Sequence, residues 1–326
     1  MKFLTNIAEV GQHVAINMTN SINVLKSHIE KSENLYISKL IGGLETADLT
    51  AAYIAANRNA ENIIDADIKE AVLICQKIAS NLGYLSAIPM LNVSMGSTGI
   101  KVIHSDESKS AFQWQVTEVK DSLQEIGFNG IEDLLELLES KPLVFDKYAA
   151  SPEYQIQKQF LIKAAHDFNQ HFNIGGSRFV FANICYLMKR IEDQVVKKIY
   201  GPDFFNILKT TTPTGKNAIL VNEYIKPGIA ILTGSKAIIE RQVTFKNGVA
   251  QFNFKGDFEN NQESAALTKF QIQDITNQLD IDGNEYLQSG IEYINKNLAD
   301  FPDYTEPVIK KRFGKPNDRT QGIFKH

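Results

Sequence analysis

Apolar residues recur at helical spacing along the chain, and the same pattern occurs twice. Amphipathic stretches at residues 20–29 and 179–191 each lead to a short apolar segment that ends in glycine, Gly42 in the first case and Gly201 in the second. A later segment keeps one offset of 156 residues for some 25 positions and pairs Trp114 with Phe270, Val116 with Ile272 and Gly127 with Gly283. The pattern predicts a tandem duplication.

Each copy predicts the same elements in the same order. Gly42 and Gly201 end the first helix. A second helix follows, over 66–82 up to Gly83 and over 216–226 up to Pro227-Gly228. Alternating residues then predict hairpins over 91–103 and 237–254, with turns at 96–99 and 246–248. A long helix (107–126 and 261–280), a glycine-marked kink and a short helix (129–140 and 284–298) complete each copy.

The expected fold class is therefore mainly α with small β-hairpins (α+β). We expect a first helical repeat over 1–145, a second over 146–300 and an extended basic tail over 301–326. A short ordered linker, bracketed by two prolines, is expected over 141–152. Trp114 and Phe270 recur at helical spacing, which favours a place in the core.

Composition excludes a collagen-like or wholly disordered chain, because 43% of residues are apolar and 22% are charged. We expect no signal peptide, and no apolar stretch that approaches the length of a membrane helix. Cys75 and Cys185 lie in apolar helical patterns and are expected to be reduced core thiols of a cytosolic protein.

Charge is unevenly distributed along the chain. Residues 1–150 carry 12 basic and 19 acidic residues, residues 151–300 carry 16 of each, and residues 301–326 carry 6 basic and 3 acidic ones. The acidic first half argues against a broad nucleic-acid surface, and the basic tail suits an acidic partner.

Metal-binding patterns are weak. His166 and His171 are five residues apart and do not share a helix face. His104 precedes Asp106 and Glu107, where an ordinary helix start is expected. The acidic residues 280–285 lack the spacing of a calcium loop and predict a polar turn between helices.

Other chemistry is equally unsupported. Thr214-Gly215-Lys216 lacks the first glycine of a phosphate loop, and the turn before Arg178 predicts a helix capped by Ser177 in preference to an anion nest. Glu132 and Asp133 are expected to be solvated helix charges. No nucleophile motif occurs. We therefore predict no enzyme, no cofactor and no metal site.

The order of elements resembles a known family. Residues 36–42 and 195–201, the pair Trp114-Gln115, the linker Ser151-Pro-Glu-Tyr154 and residues 173–179 are similar to features of the head–tail connector (neck or adaptor) proteins of tailed bacteriophages. The double-copy layout resembles a form found in phages and prophages of the Bacteroides group. The resemblance covers most of the chain.

The resemblance implies a non-catalytic virion protein that forms a ring of 6 or 12 chains at the portal–tail junction. Its expected partners are the portal protein and tail or further neck proteins, with DNA passing through the channel without sequence-specific binding and with no membrane. The acidic first copy would line that channel. The expected location is the virion neck, and the host cytoplasm during assembly.

Hairpin edges and the tail are the candidate interfaces, because edge strands and segments that become ordered on docking bind neighbours. The candidate residues are Met95, Ser97, Phe245, Asn247, Lys310, Lys311, Arg312, Lys315 and Arg319.

Three alternatives stay open. One is another phage or injection-machine adaptor, such as a tail-completion or baseplate protein. The second is an enzyme with a site between the repeats, for which His13, His104 and His171 are the best candidates. The third is a DNA-binding module, against which the acidic first copy weighs.

Overall fold

The computed structural model describes residues 1–15, 21–91, 93–96, 99–102, 112–241, 243–246, 249–252 and 269–307. The chain divides into two compact units. Unit 1 comprises Met1–Cys185 and Gln242–Thr268, and unit 2 comprises Tyr186–Arg241 and Lys269–His326. The described residues are mainly helical, as the sequence predicts.

Among the described residues, ten helices begin in unit 1. They are α1 (Ile7–Gly11), α2 (Ile22–Ser32), α3 (Lys39–Ile41), α4 (Gly43–Ala55), α5 (Ala66–Leu91), α6 (Gln113–Ser140), α7 (Asp146–Ala149), α8 (Pro152–Lys158), α9 (Ala165–Asn169) and α10 (Arg178–Ile191). A π-helical segment, Glu33–Ser38, joins α2 to α3, and a 3₁₀ turn, Ala60–Asn62, precedes α5.

The helices of unit 2 are α11 (Lys197–Tyr200), α12 (Pro202–Thr210), α13 (Gly215–Ile219), α14 (Lys226–Arg241) and α15 (Lys269–Lys296). π-Helical segments at Glu192–Val196 and Leu220–Ile225 lead into α11 and α14, and a 3₁₀ turn, Leu298–Asp300, follows α15.

In the part of the chain that the structure describes, four short strands form two antiparallel pairs. β1 (Val93–Gly96) pairs with β2 (Gly99–Val102), and β3 (Val243–Lys246) pairs with β4 (Val249–Phe252). The strands begin later than the predicted hairpin segments, because 237–241 belongs to α14 and residue 91 to α5. The predicted turn residues at 97–98 and 247–248 lie outside the described residues.

The duplication predicted from sequence is visible in the elements. Gly42 and Gly201 end α3 and α11 with nearly equal positive φ angles, 85° and 84°, a conformation that glycine adopts without steric cost. The helices α6 and α15 have 28 residues each and begin and end 156 positions apart. The predicted register is therefore confirmed.

The predicted breaks at the other glycines are wrong. α5 continues through Gly83, and the helical run into α14 continues through Gly228. α6 and α15 are each one continuous helix through Gly127 and Gly283, where the sequence predicts two helices. At each of these glycines two helices approach closely. A Cβ atom on Gly83 would lie 3.1 Å from Ile29 Cα, and one on Gly228 would lie 3.0 Å from the carbonyl oxygen of Gly283.

One leucine–glycine contact occurs in both copies. Leu82 of α5 fills the space above Gly127 of α6, and Leu232 of α14 fills the space above Gly283 of α15. A Cβ atom would lie 2.6 Å from Leu82 Cγ in the first contact and 2.7 Å from Leu232 Cγ in the second. Each glycine therefore leaves a space that the leucine side chain of the facing helix fills, and we call such a contact a leucine–glycine socket.

α5 is the central helix of the unit 1 core. Its length and composition would suffice to cross a membrane, contrary to the expectation from sequence, and 67% of its most apolar window is buried inside the protein. Val72, Cys75 and Ile78 of α5 pack with Ile29 and Leu134 in one cluster. Its apolar character is thus accounted for by core packing.

The start of the predicted extended tail is packed. Phe301 is buried and lies edge-on to Phe204 and Tyr293 with ring centroids 6.2 and 6.0 Å apart, and Tyr304 also contacts Phe204. Phe301 therefore belongs to the core of unit 2, and Tyr304 packs at the edge of that core. The tail beyond Pro307 lies outside the described residues.

Candidate functional site

The aromatic pair at the start of the two long helices is exposed, which corrects the prediction that both residues lie in the core. Trp114 is 52% exposed and Phe270 is 79% exposed. Each stands two residues before the inward-facing residue of its copy, Val116 or Ile272, and two residues correspond to about 200° around a helix. The predicted pairing is correct, but the assigned face is wrong.

Exposed apolar side chains continue from these positions along both helices. In the first copy the exposed residues are Phe112, which directly precedes α6, and Val119 and Ile126 on α6. On α15 they are Ile275 and Ile281. Exposed apolar residues that recur along one helix are typical of interaction surfaces more than of isolated surface residues. Along the chain the first strand pair precedes Phe112 and the second precedes Phe270, although β3 and β4 belong to unit 1 and α15 belongs to unit 2.

A second arrangement joins the two copies within unit 1. The Glu132 carboxylate of α6 accepts hydrogen bonds from the backbone N–H groups of Arg178 and Phe179, at 2.7 and 3.1 Å, and from the Ser177 hydroxyl. Ser177 caps α10 as predicted and accepts from Val180 N at 3.0 Å. The anion at this helix N-terminus is thus a side chain of the protein itself. Glu132 is therefore not the solvated charge that the sequence suggests.

Charged and aromatic contacts extend this junction. Arg178 Nε lies 3.1 Å from Glu139 Oε2, and Arg178 Nη2 lies 3.6 Å from Glu136 Oε1. The Phe128 ring contacts Phe179 at 5.6 Å and Tyr36 at 5.9 Å between centroids. Helix α10 of the second copy is therefore held on the long helix of the first copy by its N-terminus, one arginine and one aromatic ring.

Two open cavities flank this junction and share Leu35 and Tyr36. One, of about 320 Å³, is also lined by Leu82, Leu85 and Phe128, and the other, of about 330 Å³, by Lys39, Phe179 and Asn183. His28 Nδ1 lies 2.8 Å from Ser86 Oγ at the first cavity. The walls are mostly apolar, which suits a protein segment more than a polar substrate.

Buried glutamates at the π-helical segments are a feature that the sequence analysis missed. Glu33 accepts hydrogen bonds from the backbone N–H groups of Lys2 and Phe3, at 2.8 and 2.9 Å. Burial raises its pKa, although these hydrogen bonds act in the opposite direction. Glu192, which lies 159 residues later, is also buried and pairs with Lys209 at 2.5 Å. The shared offset with Gly42 and Gly201 is the signal that could have identified them.

A third buried carboxylate has the same kind of role. Glu45 of α4 accepts a hydrogen bond from Tyr148 N at 2.8 Å, and burial raises its pKa. In Glu33 and Glu45 alike, the carboxylate accepts hydrogen bonds from a backbone segment that is distant in sequence. Both side chains therefore connect parts of the fold that are far apart along the chain.

The remaining candidate chemistry can be placed residue by residue. Burial lowers the pKa of His13, His104 lies outside the described residues, and His171 follows the short helix α9. No cluster of three or more His, Cys, Asp or Glu side chains that could hold a metal ion occurs in the described part of the chain. Residues 280–285 lie within α15, so the predicted polar turn is wrong.

Both cysteines are buried and free, as predicted. Burial raises the pKa of Cys75, and it raises that of Cys185 to about 12. Thiols in this state are protonated at neutral pH and react slowly.

The candidate interface residues lie at the edge of, or outside, the described structure. Met95 is in β1 opposite Ile100, and Phe245 is in β3 opposite Ala250. Ser97, Asn247 and the basic tail residues Lys310, Lys311, Arg312, Lys315 and Arg319 lie outside the described residues. Their roles stay predictions.

Comparison with known proteins identifies the family. The chain belongs to the family described as "Family of unknown function (DUF6712)", whose model matches residues 23–158 and residues 196–314. The two matched segments are consistent with the tandem repeat. No curated protein and no solved structure matches the chain.

Proposed function

We propose that this member of the family is a non-catalytic structural subunit that assembles into a ring, as a head–tail connector or adaptor between the portal and the tail of a phage particle. The observation that carries the proposal is the repeated exposed aromatic at the start of the long helix, Trp114 in one copy and Phe270 in the other. A chain with two such surfaces can contact a neighbour on each side, which is the minimum that a closed ring requires.

The architecture supports the proposal in a second way. Long helices that pack through leucine–glycine sockets lie close together, and each pair of helices is stiff because its contact is closely packed. The described carboxylates at Glu33, Glu45 and Glu132 are all engaged with backbone N–H groups of the same chain. Carboxylates that serve the fold of their own chain suit a mechanical role better than a catalytic one.

Partners follow from the same proposal. The portal protein and a tail or further neck protein are the outer contacts, and the basic tail beyond Pro307 docks on an acidic surface. DNA passes through the ring without sequence-specific contacts, because the acidic first copy repels phosphate. The protein acts in the virion neck and is present in the host cytoplasm during assembly.

The test is the mass and shape of the purified chain at low salt, by mass photometry and negative-stain imaging. We expect closed rings of six or twelve chains, alone or with the portal protein. Trp114→Arg and Phe270→Arg should reduce ring formation, whereas Ile64→Arg, at a fully exposed loop position, should not.

Substitutions at the strands and the tail refine the test. Met95→Asp and Phe245→Asp should weaken assembly if the strand pairs are contacts, and truncation after Pro307 should weaken it if the tail docks. A chain that stays monomeric both alone and with portal protein would overturn the proposal and favour the adaptor or enzyme alternatives. Tight binding to duplex DNA at physiological salt would favour the DNA-binding module.

A further inference from the structure

The first of the two cavities lies between two helices of unit 1 that both pack on α5. The end of α2 and the π-helical segment after it form one wall, and α6 forms the other. Leu82 of α5 is buried at the floor, whereas Leu35 on the first wall is 39% exposed and Gln124 on the second wall is exposed. The cavity is therefore the inside of a groove between two helices.

This groove continues past Leu35 and Tyr36 into the second cavity. There α10 provides the far wall with Phe179, whose ring contacts Phe128 of the first cavity. The lining residues of both cavities all belong to unit 1. An apolar groove between two helices, floored by a third, has the shape that an amphipathic helix of a partner fills with its apolar face.

Charge at the groove identifies the kind of helix. In the described structure, Lys31 and Lys39 are the charged residues that line the two cavities. Both are exposed, and neither ammonium group forms a salt bridge with another described residue. Residues 1–150 carry 12 basic and 19 acidic residues, so a groove edged by two lysines has the opposite sign to the surrounding sequence.

One polar group in the groove lacks a hydrogen bond. Ser32 lines the first cavity and is 2% exposed, and its hydroxyl has no partner among the described residues. The neighbouring Ser86 differs, because its hydroxyl lies within hydrogen-bond distance of His28 Nδ1 and the Gly83 carbonyl oxygen. A buried hydroxyl without a partner is unfavourable, and a polar side chain of a docked helix would supply the missing bond.

We propose that this groove binds an acidic amphipathic helix of a partner protein. The apolar face of the helix packs between Leu35 and Phe128, and its acidic residues pair with Lys31 and Lys39. These lysines are eight positions apart, which is about two helical turns, so the acids of the partner are about two turns apart as well. The inference does not depend on ring formation, because the groove lies within one unit of one chain.

A model peptide tests the groove in the full chain. The probe is a fluorescein-labelled, alanine-based helical peptide with a stripe of leucines and, beside it, two glutamates about two turns apart. The comparison peptide has lysines in place of the glutamates. The whole chain carries a net charge of −4, so unspecific attraction would favour the lysine peptide. We expect the opposite, with the glutamate peptide bound about tenfold more tightly in fluorescence anisotropy at low salt.

Charge reversal provides the matched control. The chain with Lys31→Glu and Lys39→Glu should prefer the lysine peptide. The chain with Lys26→Glu and Lys163→Glu has the same net charge but alters exposed lysines that do not line the groove, and it should keep the original preference. Leu35→Asn should weaken binding of the glutamate peptide about tenfold while the circular dichroism spectrum stays unchanged, because Leu35 is partly exposed.

Each other outcome overturns the proposal. Failure to bind the glutamate peptide, or equal loss of binding in the two charge-reversed chains, would exclude recognition at this groove. Binding that appears only in a chain that ends after Pro307 would assign the groove to the tail of the same chain. Loss of self-association in the Leu35→Asn chain would assign it to a second copy.

Discussion

Replacing Gly127 by alanine should destabilise the protein, although alanine is the better helix former. The new methyl group would lie 2.6 Å from Leu82 Cγ, well inside van der Waals contact. Cγ is the branching atom of the leucine, so relief requires the whole side chain to move. Leu82 is buried and has packed neighbours, which resist that movement.

Two opposing terms set the magnitude. Gly→Ala in a helix interior favours folding by about 1 kcal/mol. Overpacking a well-filled core costs about 1–3 kcal/mol. We therefore expect a net loss of up to ~2 kcal/mol in the free energy of unfolding.

Urea unfolding followed by far-UV circular dichroism measures this loss. Gly43→Ala is the matched control, because no atom lies within 4 Å of the added methyl group at that helical position. It should leave stability unchanged or raise it by up to ~1 kcal/mol. Leu82→Ala alone should cost about 2–5 kcal/mol. The two changes together should cost less than their sum, by about 0.5–3 kcal/mol, because the shortened side chain makes room for the methyl group.

The result that would refute this reasoning is a stabilised Gly127→Ala chain, together with strict additivity to Leu82→Ala. That outcome would mean that Gly127 is a flexible point in the helix and not a socket. The same pair of measurements on Gly283→Ala and Leu232→Ala would test whether the second copy repeats the contact.

Other predictions concern the buried charges and the tail. Glu132→Gln should destabilise the chain by about 1–2 kcal/mol in thermal or urea unfolding. Glu125→Gln, on the exposed part of α6, is the control and should have no effect. Equal losses of stability would contradict the role of the Glu132 carboxylate at the start of α10. Burial raises the pKa of Glu33, so the folded state binds its proton more tightly than the unfolded state does, and stability falls as pH rises above 4.5 through the raised pKa. Glu33→Gln should lose this part of the pH dependence, and an unchanged pH profile would count against it. A chain that ends after Pro307 should keep its stability. A chain that ends after Asp300 should lose about 3–5 kcal/mol in the free energy of unfolding, because a buried aromatic side chain is removed. Equal stability of the two truncated chains would exclude packing of residues 301–307.

The repeat register and the helix content could be predicted from the chain alone. Helical periodicity is a local property, and a duplicated sequence carries its own alignment, so the offsets of 156 and 159 residues correspond to structural equivalence. Gly42 and Gly201 can be predicted as helix ends from the sequence alone. The role depends on the backbone conformation of a single residue, and the residue type, glycine, indicates that conformation.

The predictions that the structure contradicts have a common cause. Each depends on which distant part of the chain packs against the residue. Gly83, Gly127 and Gly283 suggest breaks in sequence, but in the fold they are places where a second helix comes close. The prediction that Trp114 faces the core is wrong, because its exposure depends on which side of α6 another helix covers.

The charged residues show the same division. Glu33 and Glu132 look like ordinary helix charges in the sequence, and only the approach of Lys2-Phe3 and of the start of α10 makes them backbone acceptors. The sequence by itself determined the elements and their repetition, because these follow from neighbours along the chain. The tertiary structure decided which glycines are sockets, which aromatics are exposed and which carboxylates are buried, because each of these depends on partners far apart in sequence that only folding brings together.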